Sequence, residues 1–203
     1  MGCLISKNEK CLSLIDGTYR GHYRLVLNGY MLTKGLYTFN NGYEYKGRFF
    51  NKMYNGYGTL KNDIFLMDGY WKNNKLHGKS YIRFTNNIIY HGDFINGKPN
   101  GIISITMNNY EYFGEIMNNK LEGFGVLKFN NENLYVGKWK NNKPHLKGKY
   151  YEDDKVYNVD IINDNIILNN KEKIKISFLL GNFKLICFPI EYPVPNIYNK
   201  NIL

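Results

Sequence analysis

Along the middle of this chain apolar and polar residues alternate. Leu60, Ile82, Ile105 and Leu127 are each followed two positions on by Asn62, Phe84, Met107 and Phe129, with mostly polar residues in the even positions between. A period of two is that of a strand with one buried face. Asn73-Asn74-Lys75, Asn96-Gly97-Lys98 and Asn118-Asn119-Lys120 separate the apolar stretches. Asn and Gly tolerate positive φ, so these runs predict tight turns and the chain predicts successive β-hairpins.

The hairpins recur with a fixed period. Tyr45-x-Gly47-x-Phe49, Met67-x-Gly69-x-Trp71, Tyr90-x-Gly92-x-Phe94, Tyr112-x-Gly114-x-Ile116 and Tyr135-x-Gly137-x-Trp139 return every 22 or 23 residues. Seven positions beyond the last residue of four of these units stand Gly56-x-Gly58, Gly78-x-Ser80, Gly101-x-Ile103 and Gly123-x-Gly125. Such a period marks a stacked repeat protein, not one globular enzyme core. Glycine weakens an ordinary strand, so one repeated at a single register implies close approach of another group. We expect an aromatic ring of the neighbouring module over Gly47, Gly69, Gly92, Gly114 and Gly137. Phe49, Trp71, Phe94 and Trp139, with Ile116 as the aliphatic member, then form a seam that reads as core packing in preference to ligand contact.

These residues resemble the MORN (membrane occupation and recognition nexus) repeats, whose motif is Tyr-x-Gly-x-Trp followed by Gly-x-Gly. The match is best over residues 45–140 and extends more weakly to Tyr19-Arg-Gly21-His-Tyr23 and Gly35-Leu-Tyr37. Met67, Ile116, Ser80 and Ile103 depart from the pattern. After Trp139 the Gly-x-Gly is read as displaced to Gly148 by an insertion, Pro144 to Lys147, where the array is expected to end or bend. The resemblance implies an all-β fold, an elongated single-layer stack of β-hairpins. The expected organisation is an acylated segment over 1–15, the array over 16–150, a C-terminal β cap over 151–188 and an extended tail over 189–203. Short strands rich in branched residues carry the cap, among them Tyr157–Ile161, Asn165–Leu168, Lys173–Phe178 and Phe183–Phe188. Pro189, Pro193 and Pro195 argue against a sheet beyond them.

The chain opens Met1-Gly2-Cys3-Leu4-Ile5-Ser6-Lys7. A glycine exposed by loss of Met, with serine at position six, is the myristoylation pattern, and Cys3 beside it suits palmitoylation. One acyl chain binds membranes only marginally, whereas two anchor stably. Cys11 is a candidate second palmitoyl site and reads equally as an inert thiol. Lys7, Lys10, Arg20, Arg24 and Lys34 add positive charge but are too dispersed along the chain to form a polybasic cluster.

Charge and chemistry narrow the function further. The 203 residues carry a net charge of +10, which favours anionic partners. No nucleic-acid-binding module supports the nucleic-acid alternative. Part of the Asn and Lys excess reads as the bias of an AT-rich genome. Cys3, Cys11 and Cys187 form neither a metal spacing nor a disulfide framework. His22, His77, His91 and His145 share no register, and Glu152-Asp153-Asp154 reads as a solvated turn. No nucleophile elbow, phosphate loop or kinase signature is present, so no enzyme, cofactor or metal is expected. The lysines of the modules, among them Lys46, Lys72, Lys75 and Lys138, fall in turns and polar registers and read as a solvated edge. The resemblance implies a membrane-anchored scaffold or adaptor on a cytoplasmic membrane face. Its expected partners are the membrane surface, proteins of a membrane skeleton such as the inner membrane complex of parasitic protists, and a second copy of the chain. The alternative is an anionic phospholipid-binding module.

Overall fold

The computed structural model describes residues 10–26, 29–162, 165–168 and 173–175, together with Pro193 and Pro195. Gly2, Cys3, Cys187 and the strand expected over Phe183–Phe188 lie outside these residues. All regular structure among the described residues is β. The chain divides into two compact units, residues 1–85 with 191–203, and residues 86–190.

In the first unit β1 (Lys10–Leu14), β2 (Gly17–Val26), β3 (Gly29–Phe39), β4 (Glu44–Phe50), β5 (Met53–Lys61), β6 (Phe65–Lys72) and β7 (Lys75–Phe84) form an antiparallel sheet in chain order. β1 pairs with β2 from Lys10↔Gly21 to Leu14↔Gly17, so the first strand lies within the N-terminal segment of residues 1–15. The second unit holds β8 (Ile89–Ile95), β9 (Lys98–Met107), β10 (Tyr110–Met117), β11 (Lys120–Phe129), β12 (Leu134–Lys140), β13 (Lys143–Glu152), β14 (Lys155–Ile162), β15 (Asn165–Leu168) and β16 (Lys173–Lys175), again antiparallel and in chain order. The sheet therefore runs through Pro144 without a break, and the cap strands continue it.

Asparagine makes the hairpins possible. Asn51–Lys52, Asn73–Asn74, Asn96–Gly97, Asn118–Asn119 and Asn141–Asn142 close five two-residue turns, every residue at a φ between 46° and 79°. Two positive φ values in succession match the right-handed twist of the flanking strands. The second asparagine also ties its hairpin to the one before. The Tyr54 amide donates to Asn74 Oδ1 (2.6 Å) and the Asn74 amide donates to the Tyr54 carbonyl (3.1 Å). Leu121 and Asn142 repeat both bonds, at 2.7 and 3.1 Å. The asparagine excess thus has a structural cause beyond genome bias.

One face of each sheet is buried. It carries Tyr19, Tyr37, Tyr45, Phe49, Tyr54, Leu60, Met67 and Trp71 in the first unit, and Tyr90, Phe94, Ile105, Tyr112, Ile116, Leu127, Tyr135 and Trp139 in the second. Gly47, Gly114 and Gly137 sit beneath the tyrosine of their own motif, not beneath a ring of a neighbouring module, and Gly92 is met by Ile103 of its own hairpin. A Cβ on Gly47 or Gly58 would stand 2.6 or 2.4 Å from the Tyr45 hydroxyl, and one on Gly114 or Gly125 would stand 2.5 Å from that of Tyr112. Gly47 pairs with Gly58 and Gly114 with Gly125 across the hairpin, so the phenol lies over a double glycine floor. Where Met67 replaces the tyrosine, Ser80 replaces the second glycine and its Oγ fills the space over Gly69.

The first glycine of Gly-x-Gly has a different task. Gly56, Gly78, Gly101 and Gly123 have φ of 84°, 80°, 105° and 65°. Leu146, with φ 65°, holds the same place in the last hairpin, and Gly148 pairs with Gly137 as Gly58 does with Gly47. Lys143-Pro144-His145 aligns with Lys75-Leu76-His77 without a gap. The expected insertion is therefore a substitution, Leu for Gly. A left-handed conformation costs a non-glycine residue about 1–2 kcal/mol, and Leu146 is 58% exposed, so its side chain contributes little packing. Leu146→Gly is expected to raise stability by about 1 kcal/mol after the greater chain entropy of glycine is deducted. Gly125→Ala, which drives a methyl into the Tyr112 ring, is expected to lower it by about 1–3 kcal/mol. Denaturant midpoints of the two variants against the parent measure both.

Candidate anion-binding face

The phenols of the buried face also serve the backbone. Each Tyr-x-Gly-x-aromatic strand slips register just beyond its glycine, between Gly47 and Phe49 and between Gly114 and Ile116 for example. A bulge of this kind leaves a carbonyl outside the ladder. The tyrosine three residues earlier supplies the donor, Tyr45 to the Arg48 carbonyl (3.0 Å), Tyr112 to Glu115 (3.0 Å) and Tyr19 to His22 (2.8 Å). Where the aromatic is tryptophan, its indole N–H donates to the second glycine of the preceding hairpin, Trp71 to the Gly58 carbonyl (2.8 Å) and Trp139 to that of Gly125 (3.3 Å). Phe49, Phe94 and Ile116 fill the same register without a donor and are likewise buried. Gly69, Gly92 and Gly137 stand at the register shifts of their own hairpins.

With one face committed in this way, alternation turns every second residue outward. On the outward face of the first unit lie Arg20 and His22 of β2, Lys34 and Leu36 of β3, Lys46 and Arg48 of β4, and Tyr57 and Thr59 of β5. Lys34 stands opposite both His22 and Arg48, and Leu36 stands opposite Arg20 and Lys46. Like charges directly across a sheet destabilise it, so the pairing of Lys34 with Arg48 is not explained by folding. Arg20, His22, Lys34, Leu36, Lys46, Tyr57 and Thr59, with the backbone of Gly35, Gly47 and Gly58, line a concavity of about 710 Å³. Asp68 of β6 stands opposite Thr59. It accepts hydrogen bonds from Tyr57 and Thr59, and the former holds the Tyr57 phenol above its usual pKa. Glu44 is paired with Lys61 at 2.8 Å.

Arg20 and Lys34, read from the sequence as too dispersed to cluster, are thus brought together by the β2–β3 pairing. Lys46, assigned to a solvated edge, joins them. Lys72, Lys75, Lys120 and Lys143 do flank the hairpin turns, where they are exposed. Cys11 is exposed on β1, opposite Arg20. A second, smaller concavity of about 480 Å³ is lined by Phe50, Asn55, Gly56, Tyr70, Trp71, Lys72, Asn73 and His77. The Nδ1 of His77 is buried there with no hydrogen-bond partner among the described residues. No cluster of His, Cys, Asp and Glu able to hold a metal occurs among the described residues. Asp153 occupies a two-residue turn between β13 and β14, in line with a solvated acidic loop.

Burial raises the phenols of Tyr37, Tyr45 and Tyr112 well above their ordinary pKa, and that of Tyr135 from 10.0 to about 12. The Tyr37 phenol is raised further by its hydrogen bond to Asp16. Tyr135 differs from its counterparts in that its buried hydroxyl has no partner among the described residues. Tyr112→Phe is accordingly expected to cost about 1 kcal/mol, the net value of one hydrogen bond, whereas Tyr135→Phe is expected to be neutral or stabilising. Equilibrium unfolding of the two variants decides this. The raised phenols also set a pH limit. Their neutral form is the one the fold favours, so this contribution is complete below pH 10 and is lost as pH rises from 10 through about 12. Tyrosinate absorbance is expected in two stages, exposed rings first and buried rings only with loss of the β circular dichroism signal.

A family model described as the MORN repeat matches residues 45–62, 68–79, 90–102, 112–133 and 135–154. Each matched segment falls on one hairpin, β4–β5, β6–β7, β8–β9, β10–β11 and β12–β13 in turn, so the chain carries five MORN repeats. The Tyr19 and Gly35 hairpin, β2–β3, has the same glycine pairing, Gly21↔Gly35, just ahead of the first matched segment. MORN repeats are associated with membranes and lipid, and as a module they are generally non-enzymatic. No curated protein matches the chain.

Proposed function

We propose that this chain, with its five MORN repeats, is a non-enzymatic scaffold that attaches to an anionic membrane surface and presents its sheet faces to protein partners. The row of His22, Lys34 and Arg48, flanked by Arg20 and Lys46, carries the reading. A sheet face that sets like charges opposite one another is relieved when an anion enters between them. A lipid phosphate surface supplies such anions, and each Lys or Arg near it contributes about 1 kcal/mol. Acylation at Gly2 and Cys3 supplies the anchor in this proposal, with the basic face fixing orientation. No helix among the described residues is long and apolar enough to cross a membrane.

A specific observation favours protein docking by the second unit. Ile102, Phe113 and Phe124 are 47%, 59% and 62% exposed, and all three alternate with buried neighbours on the outward side of β9, β10 and β11. Aromatic side chains outside the core are enriched at protein interfaces.

Vesicle co-sedimentation of unacylated protein tests the basic face. Binding to vesicles containing about one quarter anionic phospholipid is expected to exceed binding to neutral vesicles and to fall with salt. Lys34→Gln with Arg48→Gln is expected to weaken it roughly 30-fold, from about 1 kcal/mol per charge. Equal binding to both vesicle types would remove the basic face from the proposal. In cells, Gly2→Ala is expected to move the protein to the soluble fraction, and Cys3→Ala to do so partially. Full membrane retention of the Gly2→Ala protein would show that lipid at Gly2 is not the anchor.

A further inference from the structure

The β2–β3 hairpin lies ahead of the five matched repeats and is built longer than any of them. In each matched hairpin the last strand pair stands three residues beyond the motif glycine, Phe50↔Met53 beyond Gly47 and Lys72↔Lys75 beyond Gly69 for example. In β2–β3 it stands five beyond, Val26↔Gly29 after Gly21. Two more residues add about 7 Å of strand. The pairing described with β1 reaches Gly21 and that with β4 reaches Lys34, whereas β2 and β3 go on pairing with each other past a register shift at His22. The root of this extension is fastened there. The Thr33 and Tyr19 hydroxyls both donate to the His22 carbonyl, at 3.0 and 2.8 Å.

The hairpin changes character with distance from that root. Arg20, His22 and Lys34 stand at its base. Next come the rings of Tyr23 and Tyr30, edge to face at 5.2 Å, with the Lys10 ammonium 5.5 Å from the Tyr23 ring. Arg24 stands opposite Met31. Outermost are Leu25 and Val26, 74% and 43% exposed, with Met31 42% exposed beside them. The matched hairpins instead place a lysine in or next to the turn, Lys52, Lys75, Lys98, Lys120 and Lys143. Because the strands pair antiparallel in chain order, the β4–β5 and β6–β7 turns lie at the same end of this unit as Val26. Lys52, Lys72 and Lys75 therefore stand along the edge from which the apolar tip projects.

A bilayer surface is graded in the same order. Anionic headgroups attract Lys and Arg, tyrosine settles at the headgroup level, and aliphatic side chains pass below it to the acyl boundary. Strand backbone with an open edge does not enter hydrocarbon, and here only the outermost side chains have to. We propose that the end of the β2–β3 hairpin is a membrane-inserting tip. Leu25, Val26 and Met31 enter the acyl boundary of an anionic bilayer, Tyr23 and Tyr30 lie among its headgroups, and Arg24, Lys34 and Arg48 meet its phosphates. This rests on the membrane attachment proposed above and adds to it an apolar contact that salt does not screen. It also sets an orientation, with the hairpin ends of the first unit toward the lipid.

A fluorophore that reports its surroundings tests the insertion. Full-length, unacylated protein with Cys3→Ser, Cys11→Ser and Cys187→Ser carries it at Leu25→Cys or, as control, at Ile64→Cys, an exposed position between β5 and β6 at the opposite end of the sheet. On vesicles with about one quarter anionic phospholipid, the Leu25 label is expected to shift to the blue and to be quenched by nitroxides on the acyl chains. The Ile64 label is expected to do neither. Leu25→Ser with Val26→Ser is expected to weaken vesicle binding about tenfold or more, with circular dichroism unchanged. Its salt dependence stays that of the parent, whereas Lys34→Gln with Arg48→Gln lowers it. A Leu25 label that stays in water on bound protein, or serine variants that bind as the parent does, would overturn the insertion, leave attachment by the basic face standing and give the tip to a protein partner. Insertion into neutral vesicles to the same extent would keep the tip and remove the anionic surface. Protein that binds neither kind of vesicle would overturn both.

Discussion

Everything in this fold rests on a phenol laid over bare backbone. In three of the five hairpins the tyrosine of the motif covers two paired glycines, Gly47 with Gly58, Gly114 with Gly125 and Gly137 with Gly148, at distances that leave no room for a side chain. The ring thereby buries its full area against a sheet only one layer thick. The hydroxyls of Tyr45 and Tyr112 meet the carbonyl that the neighbouring bulge has released. Tyrosine, two glycines and bulge form one unit. Phenylalanine in place of the tyrosine would leave the carbonyl without its donor, and alanine in place of either glycine would lift the ring.

The bulge has a second consequence. Alternation carries the next aromatic to the buried side, where Phe49, Trp71, Phe94, Ile116 and Trp139 follow the motif's first residue, and the register shift changes which residue of the partner strand it faces, Tyr54 for Phe49 and Leu121 for Ile116. Tryptophan adds a bond to the preceding hairpin through Gly58 or Gly125. At the turns, Asn74 and Asn142 bond backward to Tyr54 and Leu121. Neighbouring hairpins are therefore joined at their turns as well as through their ladders, so a module is not stable alone. This is the ordinary energetics of a repeat, in which the interface carries much of the stability.

The hairpins were legible in the sequence because their signals are local. Alternation, positive-φ turn residues and the Tyr-x-Gly spacing all lie within about a dozen positions. Register was harder. Gly148 looks displaced because Leu146 occupies a position where four earlier hairpins have glycine, and only the pairing Gly137↔Gly148 shows that nothing was inserted. The ring over Gly47, Gly114 and Gly137 belongs to the glycine's own motif and not to a neighbouring module, which was not legible because a sequence does not show how far a ring folds back. The basic face was not legible at all. Arg20, Lys34 and Arg48 are far apart until antiparallel pairing stacks them.

A buried face so tightly specified leaves variation one place to go. Inward positions must be tyrosine, glycine, an aromatic or an aliphatic group that fills the same volume, and even the departures obey this, since Ser80 accompanies Met67. Outward positions meet only solvent and cross-strand neighbours. In the first unit they have become basic, with His22, Lys34 and Arg48 in one row. Outward positions of the second unit have taken up Ile102, Phe113 and Phe124. Lys34 and Arg48 repel across their strands, whereas the Phe124 ring is met by the Lys138 ammonium of the next strand at 5.3 Å. The two outward faces thus differ in character, one basic and one carrying exposed apolar side chains, on an inward face built to a common pattern.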